Sequence, residues 1–145
     1  MRSVRVDWSG EGLRFEAGTE RLPGARIDVD EPAPLGGDRG MMPTELLLGA
    51  LGGCVGMNAV ALLRKRKQPL AHLAVHVEGE QAGEWPKAFT EIDVTFELAW
   101  NGTPDDEIVG VMLDRAVHSY CPVGATIASG QAVVRHHRKD VVLDA

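Results

Sequence analysis

The stretch Pro43-Thr-Glu-Leu-Leu-Leu-Gly-Ala-Leu-Gly-Gly-Cys-Val-Gly-Met-Asn-Ala-Val-Ala-Leu-Leu-Arg-Lys-Arg-Lys67 decides the fold. It reads as one helix from about Thr44 to Lys67, apolar on nearly every side. Thr44 suits the N-cap, Glu45 places a negative charge in the first turn, and the basic run 64–67 places cations where the helix dipole favours them. Pro69 stops it. At roughly 1.5 Å per residue such a helix is about 36 Å long. Leu46 to Leu63 carries no charge, roughly the length of a membrane span, and Gly49-x-x-x-Gly53 and Gly52-x-x-x-Gly56 have the spacing of close-packed membrane helices. No span is expected. The glycines and Asn58 weaken the apolar run, and a bilayer would separate the flanking amphipathic segments, leaving each without a core. A buried helix of a soluble protein has the same all-round apolarity.

The segments on either side are strands that need such a helix. Val4, Val6 and Trp8 alternate with Arg5 and Asp7, with a turn at Gly10-Glu-Gly12. Leu13 to Glu16 gives a second short strand, and Ala25, Ile27 and Val29 alternate with Arg26, Asp28 and Asp30 in a third. A meander of this size cannot stand alone. Residues 31–40, rich in proline and glycine, form a loop placed to bind something before the helix. Beyond the helix, Leu73, Val75 and Val77 alternate with His72, Ala74 and His76, and Ile92, Val94, Phe96, Leu98 and Trp100 form another alternating run. These predict an antiparallel pair. Thr103 as N-cap and Pro104 at the first helical position predict a second helix with Ile108, Val111, Met112 and Ala116 inward. It ends near Tyr120-Cys121-Pro122, followed by a short helical turn to about Ser129 and a last strand over 131–138. The sum is one α+β domain over 1–145, a sheet wrapped on a long central helix. A helix longer than its sheet and apolar all round predicts a second copy on its uncovered side, a homodimer.

Composition narrows the function. The chain has 145 residues, 44% hydrophobic and 25% charged, as in an ordinary globular protein. A formal net charge of −6 argues against a nucleic-acid partner, and the basic helix end is read as a solvated dipole cap. The opening MRSVRVDW shows no apolar signal core, so a cytoplasmic location is expected. Two cysteines far apart in such a chain form neither a CxxC pair nor a zinc knuckle.

Cys54 is the candidate reactive atom. A lone cysteine is often a small buried hydrophobe, but here glycines flank the thiol, a second cysteine heads Cys121-Pro-Val-Gly, and arginines in the N-terminal third could lower the thiol pKa. Cys121 stands at a helix N-terminus, where the dipole favours a thiolate. His72 and His76 share a strand face and read as solvated. His118 with Cys121 would give two zinc ligands without a telling third or fourth, so no metal is expected. A Cys54–His118 hydrolase has no local signature.

With these residues in view, a resemblance emerges. Pro43-Thr-Glu-Leu-Leu-Leu-Gly-Ala-Leu-Gly-Gly-Cys54, the basic helix end, Val75-x-Val-x-Gly79, Phe89-Thr-x-Ile92 and Tyr120-Cys-Pro-Val123 resemble the OsmC/Ohr family of osmotically inducible and organic-hydroperoxide-resistance proteins, over about residues 41–135. The resemblance implies an intertwined homodimer with the long helices at its centre. It implies a thiol peroxidase for organic hydroperoxides, with Cys54 peroxidatic and Cys121 resolving through a disulfide. An external dithiol such as dihydrolipoamide is the reductant, and no bound cofactor is implied. It also implies an arginine supporting the thiolate, best matched by Arg14 with Arg26 and Arg39 as rivals, and a glutamate, Glu45, holding that arginine. Nine residues along a straight helix turn it by about 900°, so Glu45 would serve Cys54 from an irregular first turn or from the partner chain. The alternative is a non-enzymatic redox-sensing or small-molecule-binding protein of the same fold.

Overall fold

A computed structural model describes residues 1–144. The chain forms β1 (Arg5–Trp8), β2 (Phe15–Thr19), β3 (Leu22–Val29), α1 (Pro43–Lys65), β4 (Leu70–Gln81), β5 (Phe89–Trp100), α2 (Asp106–His118), α3 (Pro122–Ala128) and β6 (Val133–Asp140). It divides into two compact units, residues 1–47 and residues 48 onward. The architecture is the expected α+β, antiparallel pairing with a central helix.

In the first unit β1, β2 and β3 form an antiparallel meander in that order. Gly10 and Gly12, at φ of 90° and 52°, turn the chain between β1 and β2 where a side chain would be strained. Cross-strand ion pairs join Arg14 to Asp28 and Arg26 to Glu16. Val6, Trp8 and Ile27 stay exposed. The loop after β3 is pinned by Asp30, the one buried charged side chain among the described residues. Its carboxylate accepts backbone N–H bonds from Glu31 (2.8 Å), Arg39 (3.2 Å) and Gly37 (3.4 Å). A Cβ at Gly36 would strike the Glu31 carbonyl and the Asp30 carboxylate, so glycine is required there.

Helix α1 starts one residue earlier than its sequence predicts. Leu46 N–H donates to Met42 O at 2.9 Å, which makes Met42 the cap in place of Thr44 and Pro43 the first helical residue. Glu45 reaches back to accept the Met42 N–H at 2.8 Å, half of a capping box. At the other end Lys67 takes a left-handed φ of 56°, Gln68 N–H donates to Leu63 O, and Lys67 N–H donates to Arg64 O, both at 2.9 Å. This is a Schellman cap, so the helix is closed before Pro69 is reached.

In the second unit β4 and β5 are the expected antiparallel pair. The last strand differs in detail from the purely antiparallel reading: β6 lies parallel to β5. The cause is topological, since a parallel neighbour needs a long crossover, and α2 with α3 supplies it. Leu51, Val55, Ala59 and Leu63 form one fully buried row on α1. They join Ile92, Val94, Phe96 and Leu98 of β5 and Val109, Met112, Leu113, Ala116 and Val117 of α2 in one core. The α2 face is therefore shifted from that expected. Asp105, not Thr103, is its N-cap, accepting from Ile108 N–H at 3.1 Å, and Val111 points outward, 43% exposed. The two glycine pairs of α1 part company. A Cβ at Gly52 would lie 3.1 Å from Val77 and one at Gly56 3.2 Å from Val75, so these glycines seat β4 on the helix. Gly49 and Gly53 face open space.

Candidate functional site

Cys54 lies in the middle of α1, half-buried against the core, and Cys121 is buried where α2 gives way to α3. Pro122 opens α3 and Cys121 caps it: extended at φ −98°, its Sγ accepts the Gly124 N–H at 3.1 Å. Gly124 lets this turn close, since a Cβ there would press on Cys121 Sγ and Val117 O, both at 3.4 Å. The two thiols are neighbours, with Cys54 packed against the core cluster that contains Cys121. Burial pushes the Cys121 thiol pKa up, and the adjoining Cys54 thiol raises it further by hydrogen bond and charge. The Gly124 and Val123 N–H groups pull the other way without cancelling the rise. This corrects the thiolate expected at Cys121. Burial outweighs the end of a seven-residue helix, and Cys121 is a protonated thiol at neutral pH.

The other expected residues in the first unit each have a partner within that unit. The guanidinium of Arg14 is 3.0 Å from Asp28, that of Arg26 2.8 Å from Glu16 and that of Arg39 3.9 Å from Glu11. Glu45 is engaged with the Met42 N–H, and among the described residues no ion pair joins it to Arg14. His76 lies on the exposed face of β4, 3.1 Å from Glu78, and His72 is exposed as expected. The ring of His118 lies 5.5 Å from that of His136.

One residue beside the thiols escapes a reading of the sequence. Asn58, one turn after Cys54, donates Nδ2–H to Ala116 O at 3.2 Å. Tyr120 N–H, which would take that carbonyl in a continuing helix, turns to Arg115 O. Asn58 thus satisfies an orphan carbonyl in the last turn of α2, just before Cys121. An amide at the fourth position after a helix thiol is its only sequence signal.

A half-buried helix thiol meeting a thiol that caps a second helix, on a sheet seated by glycines, defines a two-cysteine α+β protein. The sequence matches the OsmC-like protein family over residues 36–136, and the chain belongs to that family. Over 139 residues it is 30% identical to Protein YhfA of Escherichia coli strain K12, spanning 96% of this chain and 97% of YhfA. It is similar in fold to the OsmC-like protein of Mycoplasma pneumoniae, with a TM-score of 0.80 at 17% identity and 96% of each chain covered. It is also similar to the organic hydroperoxide resistance protein OhrB of Bacillus subtilis, with a TM-score of 0.61 at 18% identity over 95% of this chain and 98% of that one. At those identities the two solved structures speak for the fold.

Proposed function

We propose that this protein is a thiol-dependent peroxidase for organic hydroperoxides, with Cys54 as the attacking thiol and Cys121 as the resolving one. The observation that carries the reading is that the half-buried Cys54 packs against the core cluster holding the buried Cys121. The Cys54 thiolate attacks one peroxide oxygen, the O–O bond breaks, Cys54 becomes a sulfenic acid, and the alkoxide leaves as an alcohol after taking a proton. Cys121 sulfur then attacks the Cys54 sulfur, forming the disulfide, and the sulfenic oxygen departs as water with the Cys121 proton. An external dithiol, dihydrolipoamide by family resemblance, reduces the bridge through a mixed disulfide and is itself oxidised to a disulfide.

The working unit in this reading is a cytoplasmic homodimer. Gly49 and Gly53 on α1 face open space, and Met57, one turn on, is 71% exposed. The meander keeps Val6, Trp8 and Ile27 exposed. A second copy of this chain would cover such apolar faces, and its Arg14 and Glu45 are then available to the Cys54 of the first. Light scattering that finds a stable monomer at micromolar concentration overturns the dimer.

Titration of the intact protein with an alkyl hydroperoxide, followed by mass spectrometry, tests the chemistry. Cys54→Ser is expected to abolish peroxide consumption, and Cys121→Ser to leave a sulfenate or an over-oxidised Cys54. No mass change at either cysteine overturns the reading. The engagement of Arg14, Arg26 and Arg39 with carboxylates of their own unit favours a second reading, a redox-sensing or small-molecule-binding protein. It would oxidise once per chain and show no turnover in an assay coupled to dihydrolipoamide.

A further inference from the structure

Away from the two cysteines, the crossover builds a second cluster of chemistry-bearing side chains. Asp114 and His118 stand four residues apart on α2 and so share one face of its last turns. The strand β6 brings a third group over that face. Paired parallel to β5 with His136 opposite Val94, it sets the His136 ring edge-on to Phe96, with centroids 6.5 Å apart. His136 Nε2 lies 3.3 Å from Asp114 Oδ1, and its ring is 5.5 Å from that of His118. One ligand atom from each of the three residues falls within 4.8 Å of the others. A small cavity of about 90 Å3, bordered by His118, Val117, Gly124 and Val134, opens beside the cluster.

We propose that Asp114, His118 and His136 form a binding site for a divalent transition-metal ion, zinc foremost. Two imidazoles and one carboxylate are borderline donors that suit zinc, nickel or copper and do not suit calcium or magnesium, which prefer all-oxygen shells. With metal–ligand distances of about 2.0–2.2 Å, a tetrahedral ion needs its donors about 3.4 Å apart. The His136–Asp114 edge already has that length. His118 and Asp114 are exposed, so side-chain rotation alone brings the third donor in. One carboxylate and two neutral imidazoles give a net charge of −1, which a dication reverses without a counter-ion. The fourth position stays open toward solvent, where water completes the shell. The sequence hides this set because its third ligand lies on β6, whose parallel pairing is a tertiary fact. The obvious sequence pair, His118 with Cys121, is not the one that the fold assembles.

Thiols bind zinc too, so the test begins with the full-length Cys54→Ser/Cys121→Ser protein. Zinc titration by calorimetry is expected to give one ion per chain. His118→Ala, on an exposed helix turn, and His136→Ala are each expected to weaken binding by at least about tenfold. Zinc is expected to raise the melting temperature of the parent and not of the histidine variants. A second measurement uses the unsubstituted reduced protein with cobalt. Visible d–d bands without sulfur charge transfer, lost in His118→Ala, support the site. Absence of stoichiometric zinc binding, or equal affinity in His118→Ala, overturns it.

Discussion

Cys121 and Cys54 are neighbouring free thiols of one core, the first buried at the cap of α3 and the second half-buried in the middle of α1. The raised Cys121 pKa separates their reactivity. A thiol whose pKa is raised in the fold stays protonated at neutral pH and yields its nucleophilic thiolate only as pH climbs past the raised value. Each unit of increase lowers its thiolate fraction at neutral pH by about tenfold. Iodoacetamide at neutral pH is therefore expected to label Cys54 first, with Cys121 lagging until the pH is well into the alkaline range. Time-resolved peptide mass mapping reads the order. Earlier labelling of Cys121 would contradict this arrangement of the thiols.

The two glycine pairs of α1 predict opposite responses when a side chain is added. Gly56→Leu drives a side chain into Val75, already 3.2 Å from an added Cβ, and is expected to destabilise the protein by about 1–3 kcal/mol. Gly53→Ala meets nothing within 4 Å and gains helix propensity, so stability should rise by about 0.5–1 kcal/mol. Urea unfolding of both variants measures this. Equal effects would mean that Gly52 and Gly56 do not seat β4. Gly53→Leu adds the reading of assembly: if a second copy lies on this stripe, light scattering should show dissociation while far-UV circular dichroism stays unchanged.

The same contrast shows what a sequence can and cannot convey. Alternation in Ile92, Val94, Phe96 and Leu98 announces β5 because a half-buried strand has a two-residue period whatever its partners. The long helix and its thiol are legible for a similar local reason. Which neighbour a strand takes is not local, so the parallel β6 and the Asp114–His118–His136 cluster are not legible. Nor does a Gly-x-x-x-Gly spacing say which of two overlapping pairs is used inside the chain. Thr103 and Asp105 both satisfy the N-cap rule for α2, and only the fold decides that the Asp105 carboxylate meets the Ile108 N–H. The two thiols are legible as candidates, Cys54 by its flanking glycines and Cys121 by the Cys-Pro-Val-Gly run, and their pairing is what the family resemblance implies. The state of Cys121 is not legible, because burial, a tertiary quantity, sets its sign.

Asp30 makes the acid limb of stability testable. Burial pushes its carboxyl pKa up, but the N–H groups of Glu31, Arg39 and Gly37 and the Arg39 charge outweigh that push, so it lies below the ordinary carboxylate value. A depressed carboxylate pKa contributes stability that is present above the unfolded-state value, about 3.9, and is lost as pH falls through the folded value. Asp30→Asn should melt several degrees lower than the parent at neutral pH. The gap should narrow as the pH falls below about 4, where the unfolded chain takes up the proton, and close as the pH passes the depressed folded value. A pH-independent gap would assign the effect to lost shape instead of lost charge.

Asn58 connects the stability of the fold to the spacing of the thiols. Its Nδ2–H is the donor to Ala116 O, 3.2 Å away, and Ala116 itself is fully buried. Asn58→Leu keeps the branched shape and removes the donor, leaving an unsatisfied carbonyl in the last turn of α2. The expected loss is about 1–3 kcal/mol by urea unfolding. A second readout separates positioning from stability alone. The α2 turn that Asn58 holds leads directly into Cys121, while Asn58 is one helical turn from Cys54. Loosening that turn widens the range of thiol separations, and bridging demands Cα atoms within about 7 Å. Oxidation with one equivalent of a mild oxidant should therefore form the Cys54–Cys121 disulfide more slowly in Asn58→Leu than in the parent, at a temperature where both are folded. Asn58→Gln, which retains the amide donor on a longer stem, should recover part of the rate. Unchanged bridging in Asn58→Leu would restrict this residue to helix capping.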